Sequence, residues 1–384
     1  MKNILIISKD GTLKTELDRT GFFGNIKTSA AFSNKELANI DILVVDDRAI
    51  SYSKYTQNFE KFLKKVKSNY YITRDIDTYL SINKNLSSYG IIVISPFLTN
   101  TQISKKICSY AVEDFTVKNN IACFFGAGPG VGTTIVSQSI AQELSCISGK
   151  TTGLLVLSGY GGTNYFDIGS SSGGLPEIKE RLINNILSPG ELKNSCIKSD
   201  LLYVLAGEGN IAKLRHYHPE HIEKLVELSS KTFDVTIING GSDISGMSIG
   251  ALNSAKIKYL VTTQSDNHFR NFRKLVNQIF INLGISEKDF SLIVNKYIDS
   301  SELETEISLA KNYGMPLASV VPLLDYIAGL EAEKKKRTLI GYDRAYDNSI
   351  RQLAVSVCRE LGIEVTGKGN EKGNFFKRIM GKVQ

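Results

Sequence analysis

Ile121-Ala122-Cys123-Phe124-Phe125 runs into Gly126-Ala127-Gly128-Pro129-Gly130-Val131-Gly132 and then Thr133-Thr134. The first five residues are an unbroken apolar run, the pattern of a strand buried on both faces of a parallel sheet. After the glycines, apolar residues at Ile135, Val136, Ile140, Ala141 and Leu144 predict a helix over Thr133–Leu144. A loop between a strand and a helix N-terminus gathers backbone N–H groups that point at an anion, and the helix dipole adds to the attraction. Glycines let the backbone curl and approach phosphate closely. The stretch therefore predicts a phosphate-binding loop. The competing reading is a glycine turn that only packs a helix onto a strand.

The same alternation extends in both directions. Upstream, strands are expected at Asn3–Ile7, Ile42–Val45, Tyr70–Thr73 and Tyr89–Ile94, with helices at Leu13–Arg19, Phe59–Val66 and Ile76–Leu86. Downstream, strands are expected near Leu154–Leu157, Leu201–Leu205, Val235–Asn239, Lys258–Thr262, Ser291–Asn295 and Ala318–Val321. The helices between them fall near Glu177–Leu187, Pro219–Ser230, Phe269–Leu283, Leu303–Tyr313 and Asn348–Leu361. Strands alternating with helices imply α/β architecture with a mainly parallel sheet. A length of 384 residues fits two domains. A polar helical stretch from Thr101 to Phe115 closes the first. The expected division is 1–116, 117–366, and 367–384 as a flexible linker with a short tail. Ser158–Gly174 is dense in Gly and Ser and reads as a surface loop.

Composition narrows the class. Apolar residues are 42% and charged residues 22%, with a formal net charge of +7. That balance permits contact with anionic lipid or nucleic acid without demanding it. Five cysteines, widely spaced and without CxxC, do not form a disulfide framework or a zinc site. No run of 18 apolar residues occurs, so no transmembrane helix is expected and the protein reads as cytoplasmic. Arg215-His216-Tyr217-His218-Pro219-Glu220-His221 looks like a metal cluster, but Pro219 favours the first turn of a helix, and the segment reads as its N-terminal approach.

The glycine loop resembles the deviant Walker A loop of MinD and ParA proteins, Lys-Gly-Gly-x-Gly-Lys-Thr, as Gly128-Pro129-Gly130-Val131-Gly132-Thr133-Thr134. The resemblance implies that these seven residues hold ATP and that the Thr134 hydroxyl binds Mg²⁺. It also marks two losses. Thr133 stands where a lysine would contact the β- and γ-phosphates, and Gly128 where the signature lysine would reach into a partner's site. The strand ending Ile237-Ile238-Asn239 resembles a Walker B strand whose terminal Asp has become Asn. Asn239 is expected to reach Mg²⁺ through a water, without the charge. Tyr165 departs from the family's switch segment, where Asp167 is the stand-in. Ser291-Leu292-Ile293-Val294-Asn295-Lys296 resembles the strand whose Asn reads adenine, which assigns Asn295 to the base. Met315–Pro322 resembles the next strand and its Pro-bearing loop, placing Pro322 near the base. Phosphoryl transfer depends on positioning and charge stabilisation, so the missing lysines and carboxylate imply weak or no hydrolysis.

The N-terminal section resembles a flavodoxin-like response-regulator receiver without its chemistry. Ser8-Lys9 replace the acid pair, Asp46 (with Asp47) sits at the phosphoacceptor position, Thr73 ends the fourth strand, and Ser95-Pro96-Phe97 replaces Lys-Pro-Phe. Without the acid pair Mg²⁺ is poorly held, so a protein-docking role is expected. The tail Phe375–Gln384 places Phe375, Phe376, Ile379, Met380 and Val383 at helical spacing among Lys377, Arg378 and Lys382, the pattern of a basic amphipathic helix on an anionic membrane. A degenerate receiver joined to a lysine-poor MinD/ParA-like domain resembles the TadZ/CpaE pilus-assembly family. That resemblance implies an ATP-assisted homodimer working with pilus or secretion machinery at the inner membrane face. The alternatives are a nucleotide-independent scaffold with a vestigial loop, and a ParA-type DNA-partition ATPase. Nucleic acid is the least favoured partner, because the charge is modest and the catalytic lysines are gone.

Overall fold

The computed structural model describes residues 1–31, 37, 39–57, 65–96, 98–111, 120–158, 174–324 and 340–365. The expected helix at Phe59–Val66 falls mostly outside these residues, as do Tyr165, Asp167 and the tail Phe375–Gln384. The chain divides into two compact units, Met1–Val117 with Leu275–Ser286, and Lys118–Lys274 with Glu287–Gln384.

The first unit holds a parallel five-stranded sheet, β1 (Lys2–Ile7), β2 (Phe23–Ser29), β3 (Ile42–Asp46), β4 (Ser68–Ile72) and β5 (Ile91–Ile94). Its order, β2-β1-β3-β4-β5, is the flavodoxin-like one. Alternate residues of each strand face opposite sides. Ile4, Ile6, Ile42, Val44, Tyr70 and Ile72 join Leu13 and Leu17 of α1 (Thr12–Asp18) in one core. Leu5, Ile7, Leu43, Val45 and Tyr71 join Tyr55 of α2 (Tyr52–Thr56) and Ile82 and Leu86 of α3 (Ile76–Ser88) in the other. α4 (Asn100–Ala111) covers the first core with Ile103 and Ile107. β2 escaped the sequence reading because it is an edge strand with Phe23 and Ile26 as its only buried residues, so no apolar run marks it.

The second unit is built on an eight-stranded sheet, β13-β12-β11-β6-β10-β7-β9-β8. Its members are β6 (Ile121–Gly126), β7 (Thr152–Val156), β8 (Ile197–Ser199), β9 (Leu202–Leu205), β10 (Val235–Asn239), β11 (Ile257–Thr262), β12 (Phe290–Tyr297) and β13 (Leu317–Pro322). All pairs are parallel except β8 with β9. The first strand of the unit, β6, is central, flanked by β10 and β11. From it the chain moves to β7, β9 and β8 on one side and later to β11, β12 and β13 on the other, with β10 inserted between β6 and β7, so the connections part to opposite sides at β6. Such a switch point opens a crevice at the carboxyl ends of the strands, where α/β sheets bind ligands. α5 (Thr133–Ser148) packs on the sheet beside α12 (Arg344–Glu360) through Leu144, Ile147, Tyr346, Ile350, Leu353 and Val357, and Ser139 Oγ lies 2.8 Å from Tyr346 Oη. The remaining helices are α6 (Leu175–Ile183), α7 (Pro189–Asn194), α8 (Pro219–Thr232), α9 (Gly246–Ser254), α10 (Asp266–Gln278) and α11 (Glu306–Tyr313). Among the described residues no helix is long and apolar enough to cross a membrane.

Candidate functional site at the glycine loop

The loop leaves β6 at the switch point and is moored at once. Gly126 N–H donates to the Gly241 carbonyl after β10 (2.7 Å), and Ala127 N–H to Val261 in β11 (2.8 Å). The Val131 side chain drops into the sheet core, fully buried. Gly130 (φ +77°) and Gly132 (φ +90°) take the left-handed conformation that favours glycine. Gly132 caps α5, and its carbonyl accepts from Val136 N–H (3.0 Å). Among the described residues, no protein group accepts from the amides of Gly130 to Thr134. These amides sit at the amino end of a 16-residue helix, the arrangement that binds an anionic phosphate.

The loop's carbonyls, in contrast, are held by side chains from β12 and α10. Asn295 Nδ2 donates to the Val131 carbonyl (2.8 Å), and Lys296 Nζ to the Gly130 carbonyl (2.8 Å). The His268 imidazole hydrogen-bonds the Pro129 backbone, while its Nδ1 lies 2.8 Å from Thr263 Oγ1. Burial pulls the His268 pKa below its ordinary value, against the Pro129 bond. Asn295 is almost fully buried, and Lys296 holds a left-handed backbone (φ +54°) unusual outside glycine. His268 also fills the space beside Gly128, where a Cβ would sit 3.0 Å from its Cδ2. The position at which the resemblance expects the signature lysine is thus walled by an imidazole.

Thr133, in place of the phosphate-contacting lysine, is buried with no hydrogen-bond partner for its Oγ1. That hydroxyl lies over Gly126, where a Cβ would collide with it. Thr134 Oγ1 accepts from Asn239 Nδ2 (3.0 Å), and Asn239 Oδ1 accepts from Gly241 N–H (3.1 Å). The Thr134 hydroxyl fits a hydrated Mg²⁺ riding on a bound polyphosphate. Asn239 fits less well. Its Oδ1 is committed to Gly241, so it turns hydrogens toward Thr134, and a metal-bound water also offers hydrogens. The water-mediated contact expected of Asn239 requires its amide to turn over and give up the Gly241 bond.

The expected base-side residues share one edge of the sheet. Asn295 ends the buried part of β12, and Pro322 pairs with Tyr297 across β12 and β13. The Asn295 amide is directed at the loop backbone. Sequence reasoning gave Lys296 and His268 no part in the site. The only signal for Lys296 is its place after Asn295, and His268 lies in the first turn of α10 with nothing in the local sequence to tie it to the loop.

In the first unit, Asp46 is buried at the end of β3 and saturated by cations. Its carboxylate accepts from Arg48 N–H (3.0 Å), Arg48 Nε (3.1 Å), one terminal nitrogen each of Arg48 and Arg74 (2.9 Å both) and Ser8 Oγ (3.3 Å). Burial opposes the charged form, but these bonds outweigh it and hold the carboxyl well below the usual carboxylate range. The Thr73 hydroxyl donates to the Ile94 carbonyl (2.8 Å).

No family model matches the sequence, and no curated protein is similar to it in sequence. Solved structures share its fold. The ParA family ATPase from Chlorobium tepidum TLS superposes with a TM-score of 0.54 at 19% identity, covering 62% of this chain and 99% of its own. The septum site-determining protein MinD of Pyrococcus horikoshii OT3, solved with Mg-ADP, gives 0.51 at 14% identity over 62% of this chain and 95% of its own. The MinC:MinD cell division complex of Aquifex aeolicus gives 0.51 at 13% over 64% and 97%. At these identities the likeness concerns architecture: the chain carries the α/β, mainly parallel-sheet P-loop fold found in the MinD and ParA ATPases.

Proposed function

We propose that this protein is an ATP-binding, dimeric localisation or assembly factor of a Tad-type pilus or secretion system, with weak or no hydrolysis. The observation that carries the nucleotide part is the glycine loop: amides from Gly130 to Thr134 open at a helix N-terminus, with the Thr134 hydroxyl beside them. The P. horikoshii MinD neighbour, solved with Mg-ADP, supports ATP and Mg²⁺ as the ligands. Thr133 and Gly128 in place of lysines, and Asn239 in place of a carboxylate, argue against efficient phosphoryl transfer.

In this reading residues 1–116 are a receiver-like docking module, 117–366 the nucleotide switch, and 367–384 a linker and basic tail that contacts anionic membrane at the inner face of the cell. The Arg48 and Arg74 contacts support docking over phosphorylation, since two guanidinium groups take the carboxylate oxygens a phosphoryl donor would need. The MinC:MinD complex offers a precedent for a partner protein on this fold.

Calorimetric titration with ATP and Mg²⁺, combined with light scattering after size exclusion, tests the proposal. Saturable binding and a shift from monomer to dimer are expected, with phosphate release near background. ATP that neither binds nor dimerises the chain leaves the scaffold reading, which the protein-satisfied Asn239–Thr134 pair favours.

A further inference from the structure

Resting on the nucleotide-binding reading, we infer that Lys296 is the phosphate-loop cation of this protein, delivered from β12 in place of both lysines missing from the loop. Three observations meet here. Lys296 Nζ lies 2.8 Å from the Gly130 carbonyl, inside the segment whose amides stand open. Its backbone is held at φ +54°, a conformation that costs a non-glycine residue energy and persists only where the surroundings enforce it. The neighbouring Asn295 supplies that enforcement through its buried bond to Val131. Independently, the Thr133 hydroxyl is buried, unpartnered and directed at the loop floor. The loop thus has a polar side chain without charge where the lysine should be, and a charge from elsewhere touching its rim.

The chemistry follows from that placement. Open amides and one helix dipole offset only part of a triphosphate's charge. An ammonium on a flexible four-carbon stem can leave a carbonyl for a phosphate oxygen by rotating its side chain, and a charge-assisted bond to phosphate is the stronger of the two. Lys296 therefore rests on Gly130 in the free protein and turns onto the polyphosphate when nucleotide enters. Its position on β12 leaves the α5 end free of any lysine, which separates holding the nucleotide from splitting it.

The test compares wild type with Lys296→Gln, which keeps a donor for Gly130 but not the charge, and Lys296→Arg, which keeps both. Affinities for Mg-ATP and AMP are measured by calorimetry on the full chain, alongside melting of the free protein. We expect Lys296→Gln to weaken Mg-ATP binding about tenfold and AMP binding less than threefold, with Lys296→Arg within threefold of wild type for both. A Lys296→Gln protein that binds Mg-ATP within threefold of wild type overturns the inference while leaving the nucleotide reading intact. An equal loss for AMP and ATP assigns Lys296 to the loop's shape and also overturns it. Should Lys296→Gln melt well below wild type, the Lys296→Arg affinity and the fall of wild-type ATP affinity with added salt decide: retained affinity with a steep fall supports the cation, and a flat salt response rejects it. Wild type that binds no Mg-ATP sinks the nucleotide reading, and this inference with it.

Discussion

Gly132 shows how one residue joins the fold to the site. Its φ of +90° suits glycine, and a Cβ there would collide with the Asn295 amide that holds the loop. Gly132→Ala is therefore expected to destabilise the second unit by about 1–3 kcal/mol, read as a lower melting temperature, and to weaken Mg-ATP binding because Asn295 must release Val131. A variant with wild-type melting and affinity would mean the loop tolerates another path. Asn239 makes a second residue-level case. It offers an amide where a carboxylate would accept from a metal-bound water. Asn239→Asp should tighten Mg²⁺-dependent ATP binding by roughly tenfold, since hydrogen bonds to charged groups are worth about 1.5–3 kcal/mol. A titration with and without Mg²⁺ checks this, and equal affinities in the two conditions would refute it.

Elements differ in how far their sequence announces them. β1, β3, β6 and β10 are central and buried on both faces, so an apolar run was enough. β8 has three residues, two of them exposed, too few for any period to register. α9 also went unread. Its residues Gly246, Ser248, Gly250 and Ser254 are poor helix formers, yet it forms because Ser245 caps Ser248 and because Gly250 lets it approach α8 closely, a Cβ there falling 2.7 Å from Ile222 Cβ. Tertiary contact overrode propensity. The carboxyl end of β3 carries a prediction of its own. The folded-state pKa of Asp46 lies below its unfolded value of about 3.9. Its stabilisation is complete above that value and is lost as pH falls through and below it. Asp46→Asn should cost about 2 kcal/mol at neutral pH, where the variant gives up hydrogen bonds between charged groups, and the gap to wild type should narrow below pH 4. A gap that stays constant from pH 7 to pH 3 would show that the carboxylate charge is not what the two arginines hold.

At the level of the molecule, each unit has its own core, one set of clusters around β1, β3 and β4 and another around β6, β10 and α12. Units with separate cores unfold as separate transitions unless they are tightly coupled. Differential scanning calorimetry should resolve two, with Asp46→Asn lowering one and Gly132→Ala the other. A single transition shifted alike by both substitutions would contradict this. Backbone chemistry can be read along the chain, because apolar runs, glycines and a helix start lie next to one another; that is why the α/β character and the loop at Gly126–Thr134 are legible in the sequence. Contacts between residues far apart in sequence cannot be read that way. Arg48 and Arg74 closing over Asp46, the imidazole of His268 beside Gly128, and Lys296 on Gly130 are brought together by strand register and helix packing across up to 166 positions of chain. The chain's local pattern decides that a glycine loop forms at a helix start; only the folded sheet decides which side chains surround it, since side-chain reach is a few ångströms and sequence neighbours do not supply those groups.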